Sequence, residues 1–248
     1  MNARAKKLAA VLGLGLSIPA QALTTTLNGT ELAATPGVTF PWVQPVVNGS
    51  SLVFNEGPDL GGNVDKLVQV PLSAVGIGLT PADRKVSVAM SLTHLTDDFD
   101  PHIMMTDGAT MVGVAISNDG NGSAFQALLV DKGTWGERQV SLVQFFSDAG
   151  FPAIGGSLTV TLEFDLQTLT NVTAGFGSKT GSFSTLGLTG APSVVLTRDD
   201  DYQERVQLNW LRITGPAAAV VPLPAPLWLL GAGFLSYLGL GWNRSPKT

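Results

Sequence analysis

The decisive stretch is Leu158-Thr159-Val160-Thr161-Leu162-Glu163-Phe164-Asp165-Leu166-Gln167. Its even positions Val160, Leu162, Phe164 and Leu166 are apolar, and Thr159, Thr161, Glu163, Asp165 and Gln167 between them are polar. Side chains of an extended chain point alternately to opposite faces, so this period of two marks a strand with one face in a core and the other toward solvent. Lys85 to Leu92 repeats the pattern with Val86, Val88, Met90 and Leu92, and Met111 to Ser117 with Val112, Val114 and Ile116. Further strand candidates are Ser51–Phe54, Leu67–Leu72, Ala124–Val130, Gln139–Phe146, Val172–Gly177, Val194–Thr197 and Arg205–Thr214. Turn formers separate them: Asn48-Gly49, Asp107-Gly108, Asp119-Gly120-Asn121-Gly122, Gly155-Gly156 and Gly190-Ala191-Pro192. No part of the body sustains a helical period. Short strands at this spacing predict an all-β fold, a two-sheet antiparallel sandwich.

The two ends have a different composition. Arg4, Lys6 and Lys7 precede an uncharged apolar run from Leu8 to Ile18, and Ala20-Gln21-Ala22 follows. A basic flank, a short apolar segment and a small-x-small exit form the pattern of a secretory signal peptide over residues 1–22, cleaved after Ala22. At the other end, Gly215-Pro216-Ala217-Ala218-Ala219 reads as a seam. The body is thus predicted over 23–214 and a tail over 215–248. With the basic residues of both ends set aside, nine basic residues face 19 acidic ones, a net charge of −10. That balance opposes nucleic acid, whose binding needs cations that displace counterions, and opposes anionic lipid headgroups. It is compatible with calcium or a neutral polysaccharide. Without cysteine, the core alone must stabilise the fold in an oxidising compartment.

In the tail, Val221-Pro222-Leu223-Pro224 precedes the uncharged run Leu227–Trp242, and Arg244 and Lys247 follow. Sixteen helical residues span about 24 Å, slightly short of a ~30 Å hydrocarbon core. Trp228 and Trp242 bracket the run where aromatic belts sit, and the basic end marks a cytoplasmic side. This tail resembles the PEP-CTERM sorting signal, with Leu223 where that family commonly has glutamate. The resemblance implies an exosortase as partner, passage through the inner membrane of a Gram-negative bacterium, membrane anchoring in transit, and a surface or extracellular role linked to exopolysaccharide or biofilm. The layout of the body, from the long strand Leu158–Gln167 through Thr168-Leu169-Thr170 to the closing strand Gln207–Ile213, resembles the concanavalin-like jelly roll of lectins and laminin-G-type modules.

Candidate chemistry in the body is sparse. Glu163 and Asp165, two apart on one strand, project from the same face as paired carboxylates for glycoside hydrolysis would. Glycosidases of concanavalin-like fold carry Glu-x-Asp-x-x-Glu there; Gln167 and Thr168 stand where the second glutamate should fall, so half of the acid–base pair is missing. The expectation is a protein that is not an enzyme. Asp97, Asp98 and Asp100, between His94 and His102, and the run Asp199-Asp200-Asp201 are candidate calcium ligands, since calcium takes six to eight oxygens; a solvated acidic loop is the competing reading. Trp135, in Lys132-Gly133-Thr134-Trp135-Gly136, is a candidate for stacking on a sugar ring, or a plug for one end of the sandwich. No Gly-x-Ser-x-Gly, His-Glu-x-x-His or phosphate-loop motif occurs. The functional expectation is a non-enzymatic surface or matrix protein, with a lectin-like carbohydrate-binding module as the alternative and a glycoside hydrolase third.

Overall fold

A computed structural model describes residues 21–55, 65–80, 82–96, 101–108, 110–118, 123–131, 152–165, 168–174, 177–179, 183–184, 191–198 and 205–218. Their strands are β1 (Ala22–Asn28), β2 (Val46–Asn48), β3 (Ser51–Phe54), β4 (Asp65–Pro71), β5 (Lys85–His94), β6 (Pro101–Thr106) and β7 (Thr110–Asn118). Then follow β8 (Ser123–Asp131), β9 (Ser157–Asp165), β10 (Thr168–Ala174), β11 (Gly177–Lys179), β12 (Phe183–Ser184), β13 (Ser193–Arg198) and β14 (Val206–Pro216). One short helix, α1 (Gly29–Ala34), follows β1, and a 3₁₀ turn (Leu72–Val75) follows β4.

The strands form two antiparallel sheets. The larger runs β11-β10-β9-β5-β14-β3-β2, with β1 also on β14 and β12 on β10; the smaller runs β4-β13-β6-β7-β8. The alternation read in the sequence survives in β9, where Leu158, Val160, Leu162 and Phe164 are buried and the residues between them are partly or fully exposed. The same core holds Val86, Val88, Met90 and Leu92 of β5, Leu208, Leu211 and Ile213 of β14, and Ile103, Met105, Val194 and Leu196 from the smaller sheet. Each such side chain contributes roughly 1.5–3 kcal/mol by leaving water.

Three expectations change. In the smaller sheet, β6 and β13 are buried on both faces, as are the described side chains Met111 and Gly113–Ile116 of β7, so the solvent-facing side expected there is covered. His102, read with an acidic loop, instead sits in β6 beside Thr197 and Ala115 and is 2 % exposed. Gly215 and Pro216, read as the start of a linker, are buried strand residues paired with Leu23 and Ala22. The first turn of α1 was invisible to periodicity but has a capping box: the Asn28 side chain accepts from the Glu31 amide at 3.0 Å and the Asn28 amide donates to Glu31 Oε2 at 2.8 Å. The Arg198 guanidinium, 1 % exposed, lies 3.9 Å from the ring centroid of Trp42, where the aromatic face partly offsets its lost hydration.

Burial pushes the His102 imidazole down to about 3, because a protonated ring would lose its hydration between Thr197 and Ala115. Below a pH of about 6.5 the unfolded chain takes up a proton that the folded chain refuses, so stability is complete above that value and falls as pH drops toward 3. Between pH 7 and 5 this residue alone should remove about 2 kcal/mol. Urea unfolding of the native chain and of His102→Gln at both values measures it; the variant should lose less stability on acidification, and equal losses would show that His102 does not carry the effect.

Candidate functional site

Strand β14 carries an irregularity that its sequence encodes. Val206 and Leu208 are two apart, Leu211 and Ile213 are two apart, but Leu208 and Leu211 are three apart. All four reach the core only if the strand absorbs one extra residue. It does so at Asn209: Leu208 pairs with Leu92 of β5, and Trp210, not Asn209, pairs with the next residue, Ser91. The same point is where the other edge of β14 passes from β3, paired through Leu208, to β1, paired from Trp210 onward.

The bulge places Asn209 and Trp210 together on the outer face of the larger sheet, and the Asn209 amide becomes the hub of a polar cluster. Its Oδ1 accepts from Ser51 Oγ at 3.1 Å and from Gln207 Nε2 at 2.8 Å. Its Nδ2 faces Thr93 Oγ1 at 2.9 Å, Ser91 Oγ at 3.3 Å and Ser157 Oγ at 3.5 Å, and Thr93 and Ser157 share a bond of 2.8 Å. Four strands are tied through one amide, whose orientation is held by these bonds. Beside it, Trp210 is half-buried and the Arg212 guanidinium lies 5.2 Å from its ring centroid. Arg212 Nε donates to Thr26 Oγ1 on β1 at 3.2 Å, which leaves its two Nη groups at the exposed end. One turn of alternation further, Thr214 and Thr24 hydroxyls are 3.0 Å apart.

Around these groups the outward positions are small and hydroxyl-rich: Ser87, Ala89, Ser91 and Thr93 on β5, of which Ala89, Ser91 and Thr93 are buried beneath their neighbours, then Ser157, Thr159 and Thr161 on β9. At its far end lies a groove of about 510 Å³, lined by Asp83, Lys85, Ser87, Glu163 and Thr214 and closed by Pro216. An aromatic ring propped by an internally bonded amide and flanked by guanidinium and hydroxyl groups can bind a ligand with one apolar face and many hydroxyls.

Glu163 and Asp165 do share this face, as expected, with Glu163 exposed. Asp165 is engaged by Arg84 at 3.2 Å, a half-exposed pair that adds little to stability. Across the β9–β10 hairpin, Asp165 pairs with Thr168, so a threonine stands at the position of the absent second glutamate. Ala22 is the first residue of β1. Trp135, the calcium candidates Asp97, Asp98, Asp100 and Asp199–Asp201, the signal residues through Ala20, and the sorting motif Val221–Pro224 with Arg244 lie outside the described residues. Among the described residues no group of three or more acidic or histidine side chains is placed to hold a metal ion, and no helix is long and apolar enough to cross a membrane. Sequence reasoning placed Trp210 only as part of a closing strand. The three-residue step from Leu208 to Leu211 was the signal that would have brought Asn209 and Trp210 to one face.

No family model and no curated protein matches this chain. Solved structures do share its fold. The chain is similar to the carbohydrate esterase of the Shiga toxin-encoding bacteriophage phi24B, with a TM-score of 0.52 at 9% identity over 79% of this chain and 100% of the other. It is similar also to the lectin of Bauhinia forficata in complex with GalNAc, with a TM-score of 0.50 at 10% identity over 80% of this chain and 100% of the lectin. At such identities the likeness is one of fold: two antiparallel sheets of a lectin-like sandwich.

Proposed function

We propose that this chain is an exported, non-enzymatic surface protein whose β-sandwich binds polysaccharide on the outer face of its larger sheet. The observation that carries this reading is the half-exposed Trp210, set between the pre-oriented Asn209 amide and the Arg212 guanidinium on a hydroxyl-lined face. Sugar rings offer an apolar face for stacking and hydroxyls at the rim, and each has its counterpart here. The Bauhinia lectin of the same fold holds GalNAc. The non-enzymatic part rests on Thr168 in place of a second carboxylate and on the engagement of Asp165 by Arg84. Affinity electrophoresis of the full chain through gels cast with a panel of soluble polysaccharides tests the binding. Retardation by one or more, lost in Trp210→Ala, is expected; unretarded migration through every gel would overturn the reading.

The address is proposed from the tail. Val221-Pro222-Leu223-Pro224, the apolar run to Trp242 and Arg244 fit recognition by an exosortase, anchoring in the inner membrane during transit, and release to the surface or an exopolysaccharide matrix. Intact-mass measurement on protein from its native host should show the chain ending before Leu227. A mass that includes Thr248 would replace sorting by plain anchoring.

A further inference from the structure

The groove and the tryptophan both border β14 beyond its bulge, and this relation deepens the carbohydrate reading on which it rests. Trp210, Arg212 and Thr214 occupy successive outward positions of β14, paired with Asn28, Thr26 and Thr24 of β1 on one side. On the other side Ser91, Ala89 and Ser87 of β5 form the matching row, followed by Thr159, Thr161 and Glu163 of β9. Trp210 and Thr214 are four residue steps apart along the strand, about 14 Å. In the β5 row the residues between them are small, with Ala89 in the middle; Ala89 and Ser91 are 8 % and 6 % exposed, so they lie beneath the flanking side chains and a ligand would pass above them. Arg212 borders that path midway, its Nε held by Thr26 and its remaining donors toward solvent. The groove itself, about 510 Å³, offers the hydroxyls of Ser87 and Thr214 with Lys85, Glu163 and Asp83 around them.

We infer that the groove is a second sugar subsite, and that the ligand is an internal stretch of an extended polysaccharide lying along β14, stacked on Trp210 at one end and seated between Ser87, Thr214 and Glu163 at the other. A single terminal sugar cannot reach both places. Two contacts joined by a ligand of matching length act as one binding event, so affinity rises with chain length until both are engaged and then levels off.

An array printed with oligosaccharides in length series, from monosaccharides upward, tests this with the full chain. Long members of a series should bind at least about tenfold more tightly than the disaccharide, the gain expected when a second linked contact is added. Ser87→Trp, which fills the groove, and Glu163→Gln, which alters its polar lining without changing its size, should each reduce that gain and leave disaccharide binding unchanged. Trp210→Ala should weaken every length. If monosaccharides bind as tightly as long chains, or if both groove variants keep the full length dependence, the second subsite is refuted while carbohydrate binding at Trp210 stands. If no printed glycan binds, or Trp210→Ala binds all lengths as the native chain does, the parent reading falls and the subsite with it.

Discussion

Replacing Trp210 by alanine is expected to weaken polysaccharide binding by about 2 kcal/mol, roughly 30-fold in Kd. The magnitude follows from the area a stacked indole removes from water together with the favourable geometry of a ring held in place by its neighbours. Trp210 is only half-buried and lies on the outer face, away from the core residues Leu208, Leu211 and Ile213 of its own strand. Its loss should therefore leave the melting temperature within a few degrees of the native value, since surface changes usually cost little. Trp210→Phe should retain part of the affinity, because a smaller ring still stacks. Titration calorimetry with the polysaccharide that most retards the native chain measures both variants. An alanine variant binding within about twofold of the native chain would remove Trp210 as the platform.

Gly113→Ala is expected to be the most damaging small substitution in the described fold. Gly113 of β7 pairs with Met104 of β6, and a Cβ added there would lie 2.6 Å from Met104 Cα and press on the Ile103 backbone. These are main-chain atoms of a strand buried on both faces, so no flexible side-chain tip can yield. Overpacking of that kind costs about 3 kcal/mol. For a chain of this size it lowers Tm by roughly 6–12 °C. Gly108, at the β6–β7 turn with open space around its missing side chain, is the control for clash, although its φ of 94° makes alanine mildly strained there. Thermal unfolding followed by circular dichroism decides the matter; a Gly113→Ala variant that melts with the native chain would mean that β6 and β7 part without cost.

The two predictions mark where the sequence was and was not readable. Strands with one wet face announce themselves: β9 alternates because Thr159, Thr161 and Glu163 look outward while their neighbours enter the core. Strands wet on neither face do not. His102-Ile103-Met104-Met105 has no alternation to detect, since both sides of β6 are buried, and its histidine drew it toward a loop reading. Strand β1 was hidden for a different reason. Its Thr24, Thr25 and Thr26 follow directly on a signal-like segment, and only the pairing with β14, nearly the whole body away in sequence, makes it a strand. The floor of the candidate site was legible in composition, as polar residues between apolar ones, but its centre was not. Asn209 and Trp210 converge because of a bulge, and a bulge shifts the phase of alternation without changing any residue type. The step of three between Leu208 and Leu211 records that shift, and it becomes a signal once phase is followed along the strand as well as period.

The position of β14 bears on the order of assembly. It is the last strand of the body in sequence, yet it lies inside the larger sheet, with β5 on one edge and β3 and β1 on the other. A chain that emerges from its N-terminus onward exposes β1, β3 and β5 while the strand that joins them is still to come. Until Val206–Pro216 arrives, the sheet exists as separate pieces: β9 and β5 can meet, but among the described strands β1 has no partner and β3 has only β2. Closing it brings together residues some 190 positions apart, such as Thr24 and Thr214, and contacts that distant make for slow folding. The larger sheet thus stays in pieces until its most sequence-distant strand has been made, and that strand joins them.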